Sequence, residues 1–231
     1  MSFDVIIDGT INLSSKKVYM PYRPAIPANK KKIEYVEIPG RSGALTVFNG
    51  YQDRTLELPF NFYDKTNVNK KMRTDVSPIM LNAKTIKFSD DPDIFYKVKN
   101  VEIDDLDRKL EVVYSYTANV TIEPFNYSVN GSNAVTITKS SSITNSGTYF
   151  SEPKITLYGN GNLSVTINSY TFQVNNVSGS VIVDSDLKMC YAGGSTKTMT
   201  GVFPKLDVGA NKITLSSNIT KAVIVPNWRY L

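Results

Sequence analysis

The stretch Val112-Val113-Tyr114-Ser115-Tyr116-Thr117-Ala118-Asn119-Val120-Thr121-Ile122 repeats with a period of two. Val112, Tyr114, Tyr116, Ala118, Val120 and Ile122 are apolar or aromatic. The interleaved set, Glu111, Val113, Ser115, Thr117, Asn119, Thr121 and Glu123, is mostly polar. A strand points successive side chains to opposite faces, so this pattern predicts a strand with one buried face and one wet face. Leu56, Leu58, Phe60 and Phe62 repeat the pattern, and so do Ile33 and Tyr35, then Val36 and Ile38 after a change of phase. Leu163, Val165, Ile167 and Tyr170, Phe172, Val174 flank Asn168-Ser169, which predicts a hairpin with a two-residue turn. The last strands are expected at Lys212–Leu215 and Ala222–Val225, where Pro226 removes a ladder donor and ends the pairing. The chain is therefore mainly β.

One segment, Thr66–Ala83, carries a different period. Val68, Met72, Val76, Ile79 and Met80 recur at spacings of three and four, the signature of an amphipathic helix. Ser77-Pro78 interrupts it. A Ser N-cap with Pro at the first helical position would restart a second short turn, so a kinked or broken helix is expected. A single helix among strands has to lie across a sheet to cover its apolar side.

The 231 residues suffice for two small cores. Residues 1–125 hold 18 Lys/Arg against 17 Asp/Glu, whereas residues 126–231 hold 8 against 4. A densely charged half followed by a sparsely charged one predicts two domains, 1–127 and 128–231, with the boundary near Pro124-Phe125-Asn126-Tyr127. The net charge of +5 is mild and lacks the crowded basic face of a nucleic-acid binder. The N-terminus has no basic start followed by an apolar run, and no stretch approaches the roughly 20 apolar residues of a membrane span. A soluble protein made in a cytosol is expected.

Catalytic chemistry finds little support. The chain has no His, which excludes a Ser-His-Asp triad, a Cys-His dyad and any His-ligated zinc. Cys190 is the only thiol, so neither a disulfide framework nor a Cys-cluster metal site can form. Asp90, Asp91, Asp93 and Asp104, Asp105, Asp107 are acidic runs without the Gly-centred loop and closing Glu of a calcium hand. They read as solvated turns, the second joining Val101–Ile103 to Leu110–Tyr116. Asp184 and Asp186 stand too isolated for a glycosidase pair. Asn160-Gly161-Asn162 and Asn175-Asn176 also read as turns, and Cys190 as a small core residue. Trp228 either stacks on a sugar or closes the second core or an inter-domain seam.

Three loops remain. Ser14–Lys32 contains Pro21, Pro24 and Pro27 with Val18, Tyr19, Met20, Tyr22 and Arg23. Proline lowers the entropy lost on ordering, so this arm either docks on a neighbouring molecule or folds back on its own domain. Pro39-Gly40-Arg41-Ser42-Gly43 reads as a β-turn whose glycines admit positive φ and whose Arg41 projects. Ser128–Thr148 is rich in Ser, Thr, Asn and Gly around a short Ala134–Ile137 strand.

The order of these features resembles the distal tail protein of long-tailed, non-contractile bacteriophages. The matching stretches are Ile38–Gly43 followed by Tyr51–Leu56, then Lys87–Tyr96 and Ile122–Tyr127. In the second half they are Gly147–Ile155, Tyr158–Asn162, Gly201–Ile213 and Ile224–Arg229. The resemblance implies an N-terminal barrel-like or split-barrel β domain with one α-helix, followed by a galectin-like β-sandwich. It implies a non-enzymatic hub at the virion tail tip, without cofactor, metal or membrane. The N-terminal domains would close a hexameric ring between the tail tube protein and the tail-associated hub protein, with tape measure and DNA passing through its channel. The arm, with Val18, Tyr19, Met20, Tyr22 and Arg23, would belt the next subunit, and Gly40, Arg41 and Gly43 would form a contact turn. The second domain would hold receptor-binding or baseplate proteins, with assembly in the bacterial host cytoplasm. The alternative is a carbohydrate-binding protein acting through the C-terminal sandwich.

Overall fold

The alternating stretch forms the centre of a curled antiparallel sheet. A computed structural model describes residues 3–63, 68–109 and 112–231, with side chains from residue 70 onward in the second stretch. Thr66 and Asn67 of the expected helix, and Leu110 and Glu111 before the central strand, lie outside the described residues. The chain divides into two compact units, Met1–Asn126 and Tyr127–Leu231.

In the first unit the strands are β1 (Val5–Ile7), β2 (Ile11–Asn12), β3 (Val18–Tyr19), β4 (Lys31–Val36), β5 (Leu45–Tyr51) and β6 (Arg54–Tyr63). They continue with β7 (Thr85–Phe88), β8 (Ile94–Ile103), β9 (Asp107–Arg108) and β10 (Val113–Ile122). The sheet runs β2-β1-β7-β8-β10-β6-β3, antiparallel throughout. The two cleanest alternating sequences lie side by side, with Leu56 opposite Val120, Leu58 opposite Ala118 and Phe60 opposite Tyr116. All six side chains are buried on one face. Such directly opposed pairs are the unit of sheet stabilisation. The Phe60 and Tyr116 rings lie 5.3 Å apart.

The helical segment crosses this apolar face as α1 (Val68–Lys71), a π-helical turn (Met72–Val76) and α2 (Ser77–Leu81). Met72, Val76 and Met80 enter the core. Ser77 is not the expected N-cap: its backbone is helical, and its N–H donates to the Met72 carbonyl five residues back. Pro78 lacks an N–H and its ring would strike a carbonyl of the preceding turn. One widened turn absorbs both defects, so the helix continues rather than restarts.

Tyr116 illustrates a cost inside this core. Its hydroxyl is buried and meets no hydrogen-bond partner among the described residues. Burial pushes the phenol well above the usual tyrosine range. A raised folded pKa favours the protonated form. The stability it contributes is whole below the unfolded pKa of about 10 and falls as pH rises past it. Tyr116→Phe is therefore expected to stabilise the first unit by about 1 kcal/mol at neutral pH. It should also lessen the alkaline loss, as read by urea midpoints at pH 7 and pH 11; a lower midpoint for the variant at pH 7 contradicts this.

The second unit comprises β11 (Asn126–Ser128), β12 (Val135–Ile137), β13 (Ser141–Asn145), β14 (Lys154–Ile167), β15 (Tyr170–Asp184), β16 (Met189–Ala192), β17 (Ser195–Thr196), β18 (Met199–Gly201), β19 (Gly209–Leu215), β20 (Ile219–Val225) and β21 (Arg229–Tyr230). The hairpin β14–β15 turns at Asn168-Ser169, with Ile167 opposite Tyr170. It serves two half-sheets. Its outer ends pair with β20 and β16, and its turn-side ends pair with β19 and β18. Residues from both halves, among them Leu157, Val183, Val165 and Phe172, share one core. The sheet thus folds over itself into a β-sandwich.

The fold of that sandwich corrects two expectations. Asn160-Gly161-Asn162 and Asn175-Asn176 are not turns but the bend within the paired strands, where the register shifts between Gly161 and Leu163. Gly161 (φ 84°) and Asn176 (φ 53°) take left-handed backbone there. The Asn162 carboxamide oxygen accepts from Asn176 N–H and that of Asn160 from Gly179 N–H, so side chains replace the interrupted ladder. Ser128–Thr148 is also more ordered than a loop, since β13 pairs with β19 along its length.

Candidate assembly surfaces

The pieces of candidate chemistry are consumed by the fold. Cys190 is buried, and burial pushes its thiol up. Asp184 is buried, accepts from the N–H groups of Asp186 and Leu187, and lies 3.7 Å from Lys154, so it caps a turn. Asp90 pairs with Arg23 and Asp107 with Lys109. Among the described residues no three His, Cys, Asp or Glu converge on a metal position, and no helix is long and apolar enough to cross a membrane. Trp228 is 7% exposed and sits in the second core. Its side chain is part of the second core, and its ring is not available to stack on a sugar.

The proline-containing arm lies against its own unit. Val18 is fully buried in the first core and pairs with Phe62, so it is a core residue and not a contact residue. Met20 and Ile26 pack on the same core, and Pro24 is buried. The Arg23 guanidinium lies 4.1 Å from the Phe88 ring centroid and 3.2 Å from the Asp90 carboxylate. Further along, the buried Arg54 donates to the Pro27 carbonyl at 3.2 Å and to the Asn126 carboxamide oxygen at 2.7 Å. Desolvation lowers the Arg54 pKa, partly offset by Tyr96. Of the five arm residues singled out, Tyr19 and Tyr22 keep substantially exposed apolar surface.

The segment that does leave the body of the unit is β4–β5. These strands pair with each other and with no further strand among the described residues. The register puts Ile33 opposite Phe48 and Tyr35 opposite Thr46 on one face, with Glu34 opposite Val47 and Val36 opposite Leu45 on the other. Apolar side chains therefore line both faces, and all are exposed, Tyr35 by 68% and Phe48 by 49%. The expected change of phase between Tyr35 and Val36 is absent; the register shifts between Lys31 and Ile33 instead. Gly40 (φ 83°) and Gly43 (φ 80°) form the tip, with Arg41 N–H donating to the Ile38 carbonyl at 3.1 Å. The root is closed by Gln52 N–H donating to the Lys30 carbonyl and by the Tyr51 ring against Phe125.

Arg54 holds that root in place. Arg54→Met is expected to cost about 2 kcal/mol, because it leaves the half-buried Asn126 and Pro27 acceptors without their guanidinium donor. It should also quicken amide exchange at Gln52. Unchanged exchange there would show that the ribbon's root does not depend on this guanidinium.

An isolated two-stranded ribbon with apolar residues on both sides is marginal in water and needs a covering surface. This is the geometry of a protein contact and not of a reaction centre. A family model, the phage tail protein RIFT-related domain, matches residues 11–124. Over these residues the first unit is similar to that phage tail domain. No curated protein matches the chain. Among solved structures, the hub protein Dit (gp 19.1) of phage SPP1 has the same fold. Its TM-score is 0.66 at 14% identity, over 100% of both chains. The phage p2 baseplate, in its activated conformation, gives a TM-score of 0.48 at 12% identity over 96% of both chains. The resemblance to phage tail proteins is thus supported on the first unit by the family model, and the chain as a whole has the fold of SPP1 Dit.

Proposed function

We propose that the chain is a structural subunit of a phage tail tip. It closes a hexameric ring between the tail tube protein and the tail-associated hub protein, and its second unit anchors receptor-binding or baseplate proteins. The ring would assemble in the bacterial host cytoplasm, with the tape measure and DNA passing through its channel without specific binding. The role is shape and not catalysis.

The observation that carries this reading is the β4–β5 ribbon, an ordered apolar element that its own unit leaves uncovered, on a phage tail domain. A closed ring needs two different patches on every subunit. The ribbon supplies one of them, in place of the arm at 14–32 that folds back on its own unit. Negative-stain images of the purified protein are expected to show six-fold annuli, and native mass spectrometry a mass six times 25.7 kDa. A monomer at high concentration, both alone and co-expressed with a tail tube protein, overturns the reading.

A further inference from the structure

The chain contains three Asn-Gly pairs, Asn49-Gly50, Asn130-Gly131 and Asn160-Gly161. This dipeptide is chemically labile. Glycine has no Cβ to shield its backbone nitrogen or to restrict its backbone, so that nitrogen can reach the carboxamide carbon of the asparagine before it. In an unfolded chain the three pairs are alike. The fold separates them.

Gly131 is buried, its N–H donates to the Ser128 hydroxyl, and its carbonyl accepts from Asn227 N–H at 2.7 Å. A Cβ there would stand 2.5 Å from the Trp228 nitrogen, so this backbone has no room to turn. Asn160 is tied at both ends: its carboxamide oxygen accepts from Gly179 N–H at 3.0 Å, and its backbone carbonyl accepts from the Asn218 carboxamide. Asn49-Gly50 differs from both. It lies in β5 where the ribbon's register shifts. Ile33 faces Phe48 and Lys31 faces Tyr51, so Lys32 alone stands against Asn49 and Gly50. Gly50 has φ 96°, the left-handed glycine of a β-bulge. A Cβ at Gly50 would meet nothing within 4 Å. The Asn49 side chain is exposed and is tethered by one hydrogen bond, from its Nδ2 to Glu34 Oε2 at 3.0 Å. A bulge in an uncovered two-stranded ribbon opens at little cost.

We infer that Asn49-Gly50 is a site of spontaneous deamidation in the folded subunit. The Gly50 backbone nitrogen gives its proton to hydroxide and attacks Asn49 Cγ. A carbon–nitrogen bond closes a succinimide ring, and the carboxamide nitrogen leaves as ammonia. Water then adds at one ring carbonyl or the other and opens it to aspartate or isoaspartate. Both products alter the ribbon. Each sets a carboxylate beside Glu34, which replaces a hydrogen bond by like-charge repulsion. Isoaspartate also routes the main chain through the side-chain carbon. That lengthens β5 where it already carries one residue more than β4, and a slip in pairing turns apolar side chains to the opposite face. The consequence for assembly, loss of the ribbon as a contact element, rests on the ring reading; the chemistry at Asn49 does not.

Peptide mass mapping after incubation of the folded protein in dilute, mildly alkaline solution tests the site. Asn49 is expected to convert at least about tenfold faster than Asn130 or Asn160, because those two react only after local opening. In urea the three rates should converge. The same incubation of a variant carrying Ile33→Ser, Tyr35→Ser and Phe48→Ser covers shielding of the site by assembly. An amide retained at Asn49 in both proteins, or earlier conversion at Asn130 or Asn160, overturns the inference. Asn49→Gln should keep its self-association through the incubation while the wild type loses it in step with conversion. A wild type that converts and still associates undiminished confirms the deamidation site and removes the ribbon from the ring reading.

Discussion

A triple variant, Ile33→Ser, Tyr35→Ser and Phe48→Ser, is expected to lose self-association while unfolding at the same temperature as the wild type. These three side chains share one face of the ribbon, across the Ile33–Phe48 and Tyr35–Thr46 pairs, and none enters either core. Exposed positions away from caps and cores change stability by no more than about 0.5 kcal/mol. At an interface, truncating a buried aromatic anchor commonly costs about 2 kcal/mol or more. Three anchors removed together should weaken association by at least about a thousandfold. Sedimentation velocity and a thermal melt on the same samples test both halves of this statement. Unaltered association would mean that the uncovered ribbon is not an assembly element. Unaltered association with a lowered melting temperature would mean that the ribbon folds onto its own subunit in solution.

The second large effect lies in the other unit. Trp228→Ala should destabilise Tyr127–Leu231 by about 3–5 kcal/mol, the usual cost of removing a large aromatic from a core that cannot collapse. The site has little room to relax. A Cβ built at Gly131 would stand 2.5 Å from the Trp228 backbone nitrogen, and Ser128 N–H donates to the Trp228 carbonyl. The indole is thus held by backbone on one side and by the sandwich core on the other. A domain stability of about 5–15 kcal/mol makes such a loss a large fraction of the whole. Urea unfolding by far-ultraviolet circular dichroism should show it, with hydrogen exchange in β14 and β15 assigning the loss to the second unit. A cost below about 1 kcal/mol would place the indole outside the working core. Because this change leaves the first unit's ribbon intact, ring formation at low temperature should survive it.

Much of the β architecture was legible because it is local. Strand faces follow from a two-residue period, and β6 and β10 carry that period without interruption. The hairpin at Asn168-Ser169 was legible for the same reason, since a two-residue turn fixes its own register. The Gly40 and Gly43 turn was equally readable from residue type, because glycine takes positive φ without steric cost. Misread features were those in which the same residues serve two geometries. Asn-Gly pairs suit tight turns, but in β14 and β15 they allow a long hairpin to bend while staying paired. Ser-Pro suits a helix start, but a π turn let the helix run through it.

What the amino-acid sequence determined by itself was which residues alternate, which can turn, and that no histidine-based chemistry is present. These properties belong to short stretches and to composition. Only the tertiary structure decided where each apolar face is spent. Val18 and Tyr35 look alike as apolar members of extended segments, yet one is sealed in the first core beside β6 and the other stands in solvent on a ribbon. Periodicity states that a strand has an apolar side. Which surface covers that side depends on distant parts of the chain, or on another molecule, because burial is a property of packing between elements and not of any one of them.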